Sequence, residues 1–306
     1  MARNLSAALL FLVLCPVCPA QGAGDLTLSA DKQHSFAQQL FLTGQYQKAA
    51  VEFQRFAFLF DTDPRAREAM YLAGDALFKS RDHEAALQVL QGLVKDTVLD
   101  AVAVKAYFLM AECHLSRGAP SQALVQLHNL IALSEDAGVR DRAYFRMGWI
   151  HVEQTDWSAA RRAFTRVGPD SDLPSARIVE TLDRTDAIPR KSPTLAGTLS
   201  IVPGAGQMYC GRYQDALAAF LVNAALIWAA VDAFDDEQYA LGGLLSFMGA
   251  GFYAGNIYGA ISGAHKYNEQ KQQDFIEGLK QSVRLSLQPV APGGARGVIL
   301  GVQLRF

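Results

Sequence analysis

The feature that most constrains this chain is a step of 37 residues. Pairs of the form Ala-x-x-x-(Phe/Leu) fall at Ala49 with Phe53, Ala86 with Leu90, Ala123 with Leu127 and Ala160 with Phe164, each 37 residues after the last. A second column, Ala37, Gly74, Ala111 and Gly148, keeps the same step and is small throughout. A third holds Leu40, Leu77, His114 and His151. Three columns in one register imply a single structural unit used four times.

Each unit reads as two amphipathic helices joined by a short turn. The periodicity predicts Ser35 to Thr43 paired with Tyr46 to Phe60, Arg67 to Lys79 with His83 to Val94, Val102 to Ser116 with Pro120 to Leu133, and Asp141 to Gln154 with Trp157 to Val167. Gly44, Gly118 and the turns at Arg81-Asp82 and Thr155-Asp156 break the pairs. The small column lets paired helices approach, and the large apolar columns fill the space between units. No such unit buries its apolar face alone, so the four are expected to stack into a solenoid.

These columns resemble the tetratricopeptide repeat over residues 31–172. In the fourth unit Tyr144, Met147, Gly148 and His151 stand in the first-helix positions of that family, and Ala160 and Phe164 in the second-helix positions. The third unit offers Tyr107, Met110, Ala111, His114, Ala123 and Leu127; the second offers Met70, Ala73, Gly74, Leu77, Ala86 and Leu90. The first is degenerate, with Gln33 where an aromatic is usual. The step is longer than the family's common length of about 34 residues. The resemblance implies a concave surface, lined by first helices, that takes a peptide or partner helix. By helical phase its residues are His34, Gln38, Phe41, Tyr71, Asp75, Phe78, Phe108, Glu112, Phe145 and Trp149, several of them aromatic as a protein-binding groove requires. The alternative for each Phe is packing between neighbouring units.

Catalysis and metal binding find no support in the repeats. His114 and His151 fill a column held by Leu in the first two units, so they are read as packing residues. Asp82 and His83 share a turn without a third ligand or a nucleophile at a useful spacing. Nothing in the chain calls for a cofactor. A net charge of -2 with no dense basic block argues against nucleic acid.

The first 22 residues read as an export signal: Arg3 supplies the positive end, Leu5 to Leu14 a short apolar core and Ala20 or Gly22 a small residue at the cleavage point. The Cys-Pro-Val-Cys run, Cys15 to Cys18, lies inside that segment and lacks the strand-helix setting of a redox motif. Only Cys113 and Cys210 remain beyond it, so no disulfide framework is expected. The repeat domain is then residues 25–183, and the proline-broken stretch 184–193 is a linker.

Residues 194–268 change character. Tyr213 to Ala233 and Tyr239 to Ala264 are apolar, the latter without a charge, and the acidic Asp-Ala-Phe-Asp-Asp-Glu-Gln loop divides them. Each reaches the roughly 20 residues that span a bilayer, and a two-helix transmembrane hairpin is expected. Gly251, Gly255, Gly259 and Gly263 recur every fourth residue, which places them on one helix face for close helix packing. Asn223 and Asn256 are available to hydrogen-bond between the two helices or to a local backbone group. Export of the repeats would leave basic flanks (Arg190, Lys191, Arg212, Lys266, Lys271) on the exported side, against the positive-inside rule.

Just before the first apolar helix stands Pro203-Gly-Ala-Gly-Gln-Met-Tyr-Cys-Gly-Arg212. Its glycines suggest a phosphate loop, but no Lys-Ser/Thr pair follows and no βαβ unit surrounds it. The stretch resembles the PGxGQxYxGR lead-in of small bacterial two-helix membrane-hairpin domains, through Pro203, Gly204, Gly206, Gln207, Tyr209, Gly211 and Arg212. That resemblance implies a membrane domain with no known reaction. In physical terms Gly204 and Gly206 turn the chain at the bilayer interface, Tyr209 and Tyr213 sit at headgroup depth, and Arg212 reaches lipid phosphate. Within residues 269–306, Ser282 to Val290 and Gly297 to Phe306 alternate apolar and polar and predict a short β-hairpin.

The sequence therefore points to a mainly α protein: a tetratricopeptide-type solenoid of about four 37-residue units, a membrane hairpin and a terminal β-hairpin. The function it implies is a non-catalytic scaffold, anchored in a bacterial cell-envelope membrane with its repeats on the periplasmic side, that binds a protein or peptide partner and contacts membrane lipid. The alternatives are an accessory subunit of an envelope transport or outer-membrane assembly machine, and an enzyme using Gly204 and Gly206 as a phosphate site.

Overall fold

A computed structural model describes residues 28–95 and 99–287. The export segment, its cysteines and the second predicted strand lie outside the described residues. The chain divides into two compact units at Leu109 and Met110.

The first unit holds α1 (Ala30–Leu42), α2 (Tyr46–Leu59), α3 (Ala66–Lys79), α4 (His83–Leu93) and the beginning of α5 (Ala101–Ser116). Consecutive helices form the expected antiparallel hairpins. Asp82 starts α4 by accepting from the Ala85 amide at 3.1 Å, which satisfies one of the unpaired donors of the first turn. The interior is built by the small and aromatic columns together: Ala37, Ala49, Phe53, Phe56, Ala69 and Ala73 are buried in one cluster. A side chain at Gly74 would stand 2.6 Å from Leu90, so the small column is what lets α3 and α4 meet.

The second unit continues with α6 (Pro120–Leu133), α7 (Ala137–Glu153), α8 (Trp157–Thr165), α9 (Ser175–Leu182), a 3-10 turn at Thr185–Ala187, then α10 (Pro193–Leu199), α11 (Ala205–Tyr209), α12 (Tyr213–Asp235) and α13 (Tyr239–Leu287). Pro120 opens α6 at a position where its missing amide costs nothing. Asp136 and Asp156 cap α7 and α8. The cap at Asp136 explains why α7 begins four residues ahead of its periodic pattern. A Cβ at Gly148 would lie 2.6 Å from the Phe164 ring, repeating in the fourth hairpin the packing seen at Gly74.

Two elements depart from the sequence reading. Helix α9 follows the fourth hairpin and packs on α8, where no further helix was anticipated. Helix α13 is a single rod of 49 residues, of which the predicted apolar span is only the first half. Its second half carries Phe275, Ile276, Leu279 and Val283 at helical spacing; Leu279 and Val283 join Phe145, Trp149, Phe164, Ile178 and Leu182 in one buried cluster, and Phe275 and Ile276 pack, partly buried, against it. That burial overrides the alternation read as a first strand. Ser282 to Leu287 are helical, and among the described residues there is no strand.

The first half of α13 and the whole of α12 bury little. The apolar window of α12 is 17% buried. Phe220, Leu221, Ile227, Trp228, Phe247 and Phe252 all point outward, Phe247 with 80% of its surface exposed.

Candidate functional site

The first-helix face of the first unit presents aromatic rings edged by cations. Tyr71 on α3 is partly buried, and that burial, followed by the nearby Asp75 and Glu68 carboxylates, pushes its hydroxyl up to about 12. The Lys105 ammonium lies 5.5 Å from the Tyr71 ring centre and 3.0 Å from Glu68. Lys105 and Glu68 are one repeat step apart, so the ion pair ties two successive first helices at equivalent heights. Lys79 sits 4.2 Å over the Phe41 ring while pairing with Asp75. His34 stands edge-on to Phe53 and Phe56, at 5.9 and 5.0 Å. Gln38 is exposed, whereas Phe78 packs beside the His83 ring at 5.3 Å and Phe108 is half-buried. Of the predicted residues of this unit, Tyr71, Asp75 and Phe41 are engaged by lysines that helical phase did not single out, while His34 and Phe78 pack on rings of α2 and α4.

In the second unit the predicted groove residues behave differently. Glu112 on α5 is clamped by Arg146 on α7, with Nε to Oε1 at 2.7 Å and Nη2 to Oε2 at 2.8 Å. A bidentate pair of this kind fixes register between the two helices. Phe145 and Trp149 are not on an open face: Trp149 retains 2% of its surface and Phe145 3%, both inside the cluster closed by α9 and the second half of α13. Nearby, Trp157 meets Phe275 at 5.4 Å and Lys280 pairs with Glu153 at 3.2 Å. Helical phase does not reveal this cover, because Leu279 lies well over a hundred residues later in the chain.

His151 occupies the packing position read for it, and burial lowers its pKa below the ordinary value. Among the described residues no group of His, Cys, Asp and Glu has the arrangement of a metal site. Cys113 and Cys210 are both buried and unlinked.

The motif at 203–212 docks on α13. The Gly204 amide donates to Asn256 Oδ1 at 3.2 Å, Asn256 Nδ2 donates to the Ser200 carbonyl at 3.1 Å, and Gln207 Nε2 donates to the Asn256 carbonyl at 2.9 Å. Gly204 has φ of +88°, a conformation that favours glycine, and any Cβ there would strike the Ala216 carbonyl. At Gly206 a Cβ would strike the Ala196 carbonyl and the Ser200 hydroxyl. Both glycines thus serve close approach, and the Gly204 amide that a phosphate would need is already committed. Arg212 donates to Asp215 at 2.7 Å and to the Gly259 carbonyl at 3.3 Å, which ties its guanidinium to α12 and α13. The Tyr209 hydroxyl accepts from the Ser192 amide at 3.1 Å, and Lys191 lies 4.6 Å over its ring. Pro203 precedes the left-handed glycine, and Gly211, at φ +80°, turns the chain into α12.

The glycine stripe is divided between two neighbours. Gly259 and Gly263 face Gln207 and Arg212. A Cβ at Gly251 or Gly255 would meet nothing within 4 Å, and both border a cleft of about 520 Å³ between α12 and α13, with Ala218, Val222, Asn223 and Phe252 among its walls. The stripe therefore does not join the two helices of the hairpin to each other. Asn223 donates within its own helix, to Ala219 at 2.7 Å, and Asn256 serves the motif, so neither bridges α12 and α13.

Paired helices on a fixed step, with small residues at each crossing, define a helical-repeat protein. Residues 36–97 and 142–168 each match a family model described as tetratricopeptide repeat. Such repeats generally mediate protein–protein interaction. No curated protein matches the chain.

Proposed function

We propose that this protein is a non-catalytic, membrane-anchored scaffold of the bacterial cell envelope whose repeats hold a protein or peptide partner. The observation that carries the anchor is the band of large apolar side chains left outward on α12 and the first half of α13, including Trp228 and Phe247. Exposing this many contiguous apolar groups to water is unfavourable at roughly 25 cal/mol per Å², whereas a bilayer removes the cost. The partner-binding face is the first-helix side around Tyr71, Lys105, Lys79 and Phe41. Its rings and paired charges suit an extended peptide carrying both apolar and acidic groups.

Anchoring is tested by extracting membranes with carbonate and high salt: the full chain stays in the pellet, and its appearance in the supernatant overturns the anchor. Partner capture is tested by purification in mild detergent with Tyr71→Ala and Lys105→Glu, which lose a partner that the parent retains; unchanged capture overturns the assigned face.

The export segment supports periplasmic repeats. The basic end of the hairpin, which α13 places beside α7 to α9, supports the cytoplasmic side by the positive-inside rule. Protease added to intact inner-membrane spheroplasts decides: digestion of the repeats establishes the exported orientation, and protection overturns it.

A further inference from the structure

Residues 203–212 were expected to turn the chain at the bilayer interface, but the segment that carries them, from Lys191 to Arg212, follows a longer path along α13. It starts level with Asn268, whose side chain both accepts from the Lys191 amide (2.7 Å) and donates to the Lys191 carbonyl (2.8 Å). Helix α10 then descends along α13, with Gly197 against Ile261, until the Ile201 carbonyl accepts from the Tyr253 hydroxyl at 2.9 Å. From there the chain reverses through Pro203 and Gly204 and climbs back by α11 to Cys210 and Arg212, which lie beside Gly263. Asn268 to Tyr253 is 15 residues of continuous helix, a descent of about 22 Å at 1.5 Å per residue. Tyr239 to Tyr253 is 14 residues, about 21 Å from the other end of α13. The turn therefore lies near the middle of the apolar half of α13.

Two properties of this turn are the reverse of those of a water-facing loop. Its side chains point outward as hydrocarbon: Leu195, Leu199, Ile201, Val202 and Met208 are all exposed. Its backbone donors are turned inward. The amides of Ser200, Ile201 and Val202 donate to Ala196, Thr198 and Leu199, Pro203 has none, Gly204 donates to Asn256, and Ala205 to Val202. The Ser200 and Ile201 carbonyls, which a loop in water would leave to solvent, are met by Asn256 and Tyr253 from α13. Non-helical backbone is tolerated at membrane depth only when protein satisfies it in this way.

We propose that residues 191–212 are a re-entrant membrane element: a helix-turn-helix that dips from the basic end of the hairpin to mid-bilayer and returns, with lipid acyl chains covering its outer face. This rests on the membrane-anchor reading. It assigns the motif a role as a third, half-spanning layer beside α12 and α13, with Asn256 as the polar residue that makes the reversal possible.

The test places a nitroxide label by single substitutions at outward positions of the full chain in phosphatidylcholine/phosphatidylglycerol vesicles. Val202→Cys reports the turn, Leu221→Cys and Phe247→Cys report α12 and α13, and Glu269→Cys reports the aqueous end; unsubstituted protein controls for the buried cysteines. Collisions with oxygen and with a water-soluble nickel chelate give depth. The expected result is that the Val202 label matches Leu221, with nickel collisions several-fold below those at Glu269. If Val202 is as open to nickel as Glu269 while Leu221 and Phe247 are shielded, the anchor stands and the re-entrant element is refuted. If Leu221 and Phe247 are open as well, the anchor fails and takes this inference with it. In a second arm, Asn256→Leu in the Val202→Cys chain raises nickel access at the turn and leaves Phe247 shielded; an unchanged turn overturns the role given to Asn256.

Discussion

Replacing Leu279 by Ala tests the most unexpected contact in the second unit, the packing of the far half of α13 on the end of the repeats. Leu279 retains 2% of its surface and belongs to the same buried cluster as Trp149, Phe164, Ile178 and Leu182. Truncating a buried Leu costs about 2–5 kcal/mol, the transfer of the lost carbons plus the cavity they leave. With a urea slope of roughly 1–3 kcal/mol per molar for a domain of this size, the midpoint falls by about 1 M or more. The chain has three tryptophans. With Trp228→Phe in the background, the remaining two, Trp149 and Trp157, both report this junction. The assay is urea unfolding of detergent-solubilised full chain followed by tryptophan emission. Lys280→Ala is the control: it removes only the half-exposed pair with Glu153, worth under about 1 kcal/mol. A Leu279→Ala midpoint equal to that of the control would refute the packing and, with it, the explanation for the burial of Trp149.

Three further outcomes are expected. Burial holds His151 below its ordinary value, so the folded state keeps it neutral while the unfolded chain protonates; the stability it contributes is complete above the ordinary value of about 6.5 and is lost as pH falls through the folded value, and His151→Leu flattens that loss in urea midpoints measured on either side. Gly206→Ala destabilises the hairpin domain by about 1–3 kcal/mol through overpacking against α10, whereas Gly255→Ala, facing open space, is neutral or raises the melting temperature, since Ala exceeds Gly by up to about 1 kcal/mol in a helix. Arg146→Lys keeps the charge but loses the fork that grips Glu112, and lowers thermal stability by about 1 kcal/mol or less because both groups are partly solvated; no change in the melt would show that register does not depend on the clamp.

The repeats were legible because their constraints are local. A step of 37 residues, a small column and a large column are all present within each unit, and α1 to α8 follow from them. Helical phase also decides which side chains share a first-helix face. What phase does not carry is what another segment lays on that face, and the cover of Phe145 and Trp149 comes from Leu279 and Val283. The same limit explains the misread strand at Ser282 to Leu287: alternation is a weak local preference, and distant burial at Leu279 and Val283 outweighs it. In the motif, Gly204 announced a tight turn, whereas Gly206 lies inside α11 and serves close packing. Nothing near them in sequence announced Asn256 and Tyr253, about 50 residues on, which hold the turn against α13.

The uninterrupted course of α13 has a mechanical consequence. The same helix that lines the hairpin also closes the repeat end, with no hinge between Ala264 and Phe275. The last repeat therefore cannot swivel independently of the hairpin; its heading is set by helical phase. Adding one residue in that polar stretch would advance the far half by about 1.5 Å and rotate it by about 100°, swinging Leu279 off its seat. Adding seven would restore the heading to within about 20°. Length in this shaft therefore works as a gear tooth, and a partner held on the last repeat would feel any rotation of α13 as torque.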